Sequence, residues 1–189
     1  IITDKCIGSV GDVRTVVLAS QVPLNEIDTI LMDYQSRTSV LLAKVLAKFY
    51  WKKSFRWDNT FSGFENKLIE GNTAGVVIGD RVFDIEKKYK YIYDLSKEWF
   101  RFSGLPFVFA VWAANKPINS NFQESFSNAL GLGLDNIREV SSQEQDRYPG
   151  IDIFTYLTGN IQFVLNDQMN KGLQLFLEMA KKLEPVELI

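Results

Sequence analysis

Thr29-Ile30-Leu31-Met32-Asp33-Tyr34-Gln35-Ser36-Arg37-Thr38-Ser39-Val40 is the stretch that decides the fold. Thr29 to Asp33 is a short apolar run of strand length. From Thr38 to Tyr50, apolar residues fall at Val40, Leu41, Ala43, Leu46, Ala47 and Tyr50, the spacing of an amphipathic helix. A buried strand that feeds directly into a helix is the building unit of an α/β protein. Ser36, Arg37, Thr38 and Ser39 occupy the junction, where a helix leaves its first N–H groups unpaired and carries partial positive charge. Three hydroxyls and a guanidinium at that point suit a carboxylate or a phosphate. Helix capping is the alternative, since Ser and Thr caps stabilise by about 1 kcal/mol without a ligand. A cap does not need an arginine, so Arg37 adds to the case for a ligand without displacing the capping reading.

Outward from this junction, strands and helices alternate. Val13 to Ser20 is rich in β-branched residues, Ala74 to Ile78 is a second strand pattern, and Phe107 to Ala113 is the most hydrophobic one. Ile161 to Leu165 alternates like a strand. Helical patterns cover 64–69, 95–102, 119–130, a segment from the Gly131/Gly133 break to about Tyr148, 151–157 and 169–183. Phe55 to Phe64 reads as a loop with an irregular edge, and the segment after Asp80 as a polar bridge. The alternation predicts an α/β fold with largely parallel strands. Two lobes joined by two strands, Val13–Ala19 going out and Phe107–Ala113 returning, accommodate the pattern. Ligands in such folds bind at the carboxyl ends of strands, facing the cleft.

Two further segments offer contacts there. Gly79-Asp80 closes a buried strand, where Asp80 suits a hydroxyl contact or a proton transfer; a simple turn is the alternative. Gly8-Ser9-Val10-Gly11 has the look of a short backbone nest, with Ser9 as its candidate contact, but it lacks the lysine and spacing of a phosphate loop, and a plain turn is the alternative. The aromatic and basic run Phe49 to Trp57 is read as helix-end packing rather than a nucleic-acid groove.

The bulk properties narrow the chemistry. The chain has 189 residues, 46% hydrophobic and 23% charged, with a formal net charge of -2, so no electrostatic case exists for nucleic acid or an anionic membrane surface. Histidine is absent, which removes histidine triads, imidazole metal sites and the commonest general base. A single Cys6 excludes an intramolecular disulfide and fits a reducing, cytoplasmic setting. No metal site is expected, and no run approaches the roughly 18 apolar residues of a membrane span.

Taken in order, these segments resemble the chorismate dehydratase family of the futalosine route to menaquinone. The matching pieces are Cys6 to Ser20, Asp33 with Ser36-Arg37-Thr38-Ser39, Ala74 to Asp80, Tyr93-Asp94-Leu95 with Glu98-Trp99, Ser103 to Trp112, and the late Tyr156-Leu157, Ile161, Phe163, Leu165, Gly172-Leu173 and Phe176. The resemblance implies a two-lobed fold similar to type II periplasmic binding proteins. Residues 1–20 are then the outgoing hinge and the end of a first-lobe section, 21–105 the second lobe, and 106–189 the return hinge and the rest of the first lobe. It implies loss of water from chorismate to give 3-[(1-carboxyvinyl)oxy]benzoate, with no metal or organic cofactor. Ser36, Arg37, Thr38, Ser39, Gly79, Asp80 and Ser9 are the expected substrate contacts, with Thr38 and Ser39 on a carboxylate. The acid or base stays unassigned, and Asp80 is its one candidate, on position alone. The related synthase acting on cyclic de-hypoxanthine futalosine usually has a threonine-rich helix start without the arginine, which Arg37 argues against. A noncatalytic binder of a small carboxylate is the other alternative. A family Ser-Tyr-Leu-Asn-like motif has no counterpart here, so the first lobe is expected to be incomplete and the chain a piece of a longer protein.

Overall fold

The computed structural model describes residues 1–183. Among these residues, eight strands form two sheets. β1 (Lys5–Ser9), β7 (Phe107–Val111) and β8 (Gln162–Val164) make a three-stranded sheet with β1 in the centre. β2 (Val16–Ser20), β3 (Thr29–Met32), β4 (Arg56–Asn59), β5 (Thr73–Ile78) and β6 (Tyr91–Asp94) make a five-stranded sheet in the order β4-β3-β5-β2-β6. The architecture is mixed α/β, as the alternation predicts. Strand direction differs from expectation: among the described residues, only the two pairings of β3, with β4 and with β5, are parallel, and the other four of six are antiparallel. Hydrophobic pattern reports that a strand exists; its direction depends on the side from which the chain enters the sheet. β2 arrives from the other sheet and runs against both β5 and β6.

The helices are α1 (Arg37–Val45), α2 (Phe64–Lys67), α3 (Arg81–Ile85), α4 (Leu95–Ser103), α5 (Ser120–Asp135), α6 (Ile137–Glu144), α7 (Ile153–Thr155) and α8 (Asp167–Lys181). Helix α1 continues as a wider π-turn over Leu46–Trp51 and stops at Lys52, whose φ of 52° is left-handed. Helix α5 runs straight through Gly131 and Gly133 and breaks only at Asn136, whose N–H and side-chain amide both donate to Leu132 O. Glycine inside a helix costs about 1 kcal/mol, too little to end one whose backbone bonds continue. α5 buries no residue, and Phe122 and Leu132 are exposed on it. No helix among the described residues is long and apolar enough to cross a membrane.

The largest of three hydrophobic clusters among the described residues is shared by both sheets, joining Leu18, Ile30, Leu42 and Trp99 to Phe107, Ile161 and Phe176. Trp99 is its pivot. Its ring meets Phe107 and Phe176 edge-on at 5.7 and 6.0 Å, and its indole N–H donates to Pro106 O at 3.1 Å. That bond gives the buried indole the polar partner it requires. On α8, Met169, Gly172 and Phe176 fall three and four residues apart and form the buried stripe. A Cβ at Gly172 would collide with Pro106 O, so α8 lies backbone-to-backbone on this segment.

The chain passes from the first sheet to the second through residues 10–15 and returns through 104–106. Both passages turn through left-handed residues, Gly11 (φ 82°), Arg14 (φ 68°) and Gly104 (φ 70°). Arg14 carries a side chain there at a cost of about 1–2 kcal/mol. Its N–H donates to Asp94 Oδ2 at 2.6 Å and its guanidinium to Glu86 at 3.2 Å, which hold it in place.

Candidate functional site

β3 delivers Asp33 to the head of α1 with its carboxylate fully buried. One carboxylate oxygen accepts the Gln35 N–H at 2.8 Å, an Asx turn that aims the chain into the helix. Ser36 is the N-cap: its Oγ accepts the Ser39 N–H at 3.1 Å and donates to Ser39 Oγ at 2.8 Å. The capping reading therefore holds for Ser36. It does not account for its neighbours. Arg37 is exposed and, among the described residues, forms no ion pair or side-chain hydrogen bond, and the half-buried Thr38 hydroxyl has no partner. By helix geometry the Arg37 and Thr38 N–H groups also lack partners within α1.

Gly79 follows β5 with a φ of 69°, a conformation that suits glycine, and its N–H donates to Thr15 O at 2.8 Å. The strand end is thereby pinned to the outward passage. Asp80 follows at the surface, and its carboxylate accepts the Tyr148 hydroxyl at 2.5 Å. This hydrogen bond raises the Tyr148 phenol above its ordinary value. Phe83 meets Tyr148 and Tyr156 edge-on at 6.2 and 5.8 Å, and the Arg14 guanidinium lies over its ring at 5.1 Å. A cavity of about 380 Å³ is lined here by Asp80, Arg81, Phe83, Glu86, Tyr148 and Ile151.

The Tyr156 hydroxyl shares a 2.8 Å hydrogen bond with Thr15 Oγ1, and burial pushes its phenol up. Asp94 caps α4 through the Lys97 N–H at 3.0 Å. Burial raises its carboxyl, with the Lys97 and Arg14 N–H groups opposing.

Arg81 joins the two expected walls, and sequence reasoning missed it. Its guanidinium reaches Asp33 at 2.6 Å, Gln35 at 3.0 Å and Glu65 at 3.3 Å. The Asp33–Gln35 segment that leads into the Ser36 cap and the Gly79–Asp80 turn thus share one link. Ser9 stands apart: it is fully buried at the end of β1 and donates to Gly11 O at 3.2 Å. A second groove, about 570 Å³, is lined by Lys44, Lys48, Lys52, Lys53, Phe55 and Trp57 and holds none of the expected contacts. Lys44 and Lys53 lie over the Trp57 and Phe55 rings at 5.3 and 5.4 Å.

Compared with known proteins, residues 1–182 match the sequence pattern of the menaquinone biosynthesis family. The chain belongs to that family. It is also 27% identical over 202 residues to the chorismate dehydratase of Thermus thermophilus, a match that covers 94% of this chain and 72% of that protein. Family membership ties the ordered motifs of the chain to menaquinone biosynthesis, and the relative supplies a named activity to weigh against the site.

Proposed function

We propose that this menaquinone-biosynthesis chain is a chorismate dehydratase, a lyase that removes water from chorismate to give 3-[(1-carboxyvinyl)oxy]benzoate on the futalosine route. Arg37 is the observation that carries the reading. A guanidinium exposed at the start of α1, next to unpaired N–H groups and the Thr38 hydroxyl, is a receptor for a carboxylate, and chorismate has two. The name of the Thermus relative supports the same substrate. The two sheets and the two chain passages fit a two-lobed fold of the type II periplasmic-binding-protein kind. In that reading, 21–105 is the second lobe and the segments on either side hold the hinges and part of the first.

In the proposed reaction, the C–H bond at the ring carbon bearing the enolpyruvyl ether breaks, and so does the C–O bond of the neighbouring hydroxyl. A third ring double bond forms and water leaves. Aromatisation supplies the driving force, so the protein's work is to position, to stabilise charge and to exclude bulk water. Arg37 and the α1 N–H groups hold a carboxylate, Thr38 and Ser39 add hydroxyl contacts, and Asp80 is the candidate to accept the ring proton.

The test is to incubate the protein with chorismate and follow the aromatic enolpyruvyl ether by absorbance and mass. Product formation is expected. Tight chorismate binding without product makes the protein a carboxylate binder, and turnover of cyclic de-hypoxanthine futalosine alone assigns the related synthase activity.

A further inference from the structure

Two arginines flank the candidate site, and their surroundings differ. Arg37 is exposed and unpaired among the described residues, whereas the Arg81 side chain is only 22% exposed and has three partners. We propose that Arg81 is a positioning residue that fixes the Asp33–Ser39 wall of the substrate site against the Gly79–Asp80 wall. This inference rests on the chorismate reading for its substrate and on the contacts of Arg81 for its geometry.

One guanidinium nitrogen, Nη2, donates to Asp33 Oδ2 at 2.6 Å and to Gln35 Oε1 at 3.0 Å. The other, Nη1, reaches Glu65 Oε2 on α2 at 3.3 Å, and the fork lies 5.0 Å over the Tyr34 ring. Asp33 and Glu65 expose 0% and 6% of their side chains, so neither carboxylate has water as a ready alternative partner. Asp33, Tyr34 and Gln35 are therefore each held by one side chain, immediately before the Ser36 cap. Arg81 itself directly follows Asp80 in sequence. A planar fork with several donors can span two carboxylates, an amide and a ring; the single ammonium of lysine cannot. Arg81 is consumed by these contacts and leaves substrate binding to Arg37. What it sets is where Arg37, Thr38 and the free N–H groups stand relative to Asp80.

Arg81→Lys keeps the charge and removes the fork. Native hydrogen exchange reads the wall without any ligand: protection of the Gln35 and Ser39 amides, which donate to Asp33 and to Ser36, is expected to fall about tenfold or more, the effect of one charge-assisted hydrogen bond. With chorismate, KM is expected to rise about tenfold while kcat changes less than about threefold, the split that a misplaced binding wall produces. Arg37→Ala is then expected to cost less in the Arg81→Lys background than in the parent, because a displaced Arg37 has less binding to lose. Undiminished protection at Gln35 and Ser39 overturns the positioning role. Lost protection with an unchanged KM overturns its bearing on the substrate. Lost protection in a protein that never converts chorismate sustains the positioning role and removes the substrate reading alone. If Arg81→Lys does not fold, Glu65→Gln takes away a charge that the guanidinium meets without touching the acceptors of the Gln35 and Ser39 amides, and the same readouts decide in the same way.

Discussion

At the scale of single residues, the start of α1 divides its labour. Ser36 spends its hydroxyl on the cap, while Arg37 spends nothing on the fold. Arg37→Ala should therefore leave the melting temperature unchanged and weaken chorismate binding about tenfold or more by calorimetric titration, given about 1.5–3 kcal/mol for a hydrogen bond to a charged group. Unchanged affinity removes Arg37 from the site. Asp80→Asn keeps an acceptor for Tyr148 but cannot take a proton. A fall in kcat of about 10²–10⁴ at similar KM is the expected signature of a lost general base, measured by steady-state kinetics. An unchanged kcat returns Asp80 to the role of a surface contact.

At the scale of elements, Gly75 on β5 marks a tight layer. An added Cβ would stand 2.6 Å from Ile69 Cδ1 and 2.9 Å from Phe64 Cε2. Gly75→Ala should destabilise by about 1–3 kcal/mol in urea unfolding, the usual cost of overpacking. β1 carries a titration. Burial, helped by the charge of Asp4, pushes the Cys6 thiol from 9.0 to about 11. A folded-state pKa raised above the unfolded one gives a contribution that is complete below the unfolded value and lost as pH rises through the folded one. Thermal stability should thus fall between pH 9.0 and about 11, and Cys6→Ala should flatten that fall. An equally steep fall in Cys6→Ala assigns it to other groups.

The same scale shows what the sequence made legible. β2, β3, β5 and β7 are apolar and rich in β-branched or aromatic residues, and α1, α4 and α8 show helical periodicity, so pattern alone finds them. β4 reads Arg56-Trp57-Asp58-Asn59 and lies half-exposed at a sheet edge, where no hydrophobic run is needed. β6 is half-buried throughout, and β1 contains Gly8, whose Cβ would stand 2.8 Å from Phe107 O; it is a strand because β7 comes close. The head of α1 was legible because its chemistry is contiguous. Arg81 was not, since its partners lie 48 and 16 residues away, and a pairing over such distances leaves no local pattern.

At the scale of the molecule, Trp99 connects what the two sheets separate. It is fully buried, belongs to the core shared by both sheets and bonds Pro106 on the return passage. Trp99→Ala should cost about 3–5 kcal/mol. Far-ultraviolet dichroism and the fluorescence of the remaining tryptophans should still lose their signals together in urea, because the largest cluster is shared by both sheets. Two separated transitions would show instead that each sheet is stable alone.

The pairing of β1 also has a consequence for synthesis. Cys6 lies opposite Val111, and Lys5 opposite Val164, whereas β2 to β6 all fall within one continuous span, Val16 to Asp94. On the ribosome the five-stranded sheet has its whole sequence available while β1 still waits for both neighbours. Contacts so distant in sequence form late and slowly. In the nascent chain, the centre of the smaller sheet is made before every strand of the larger one and paired after them all.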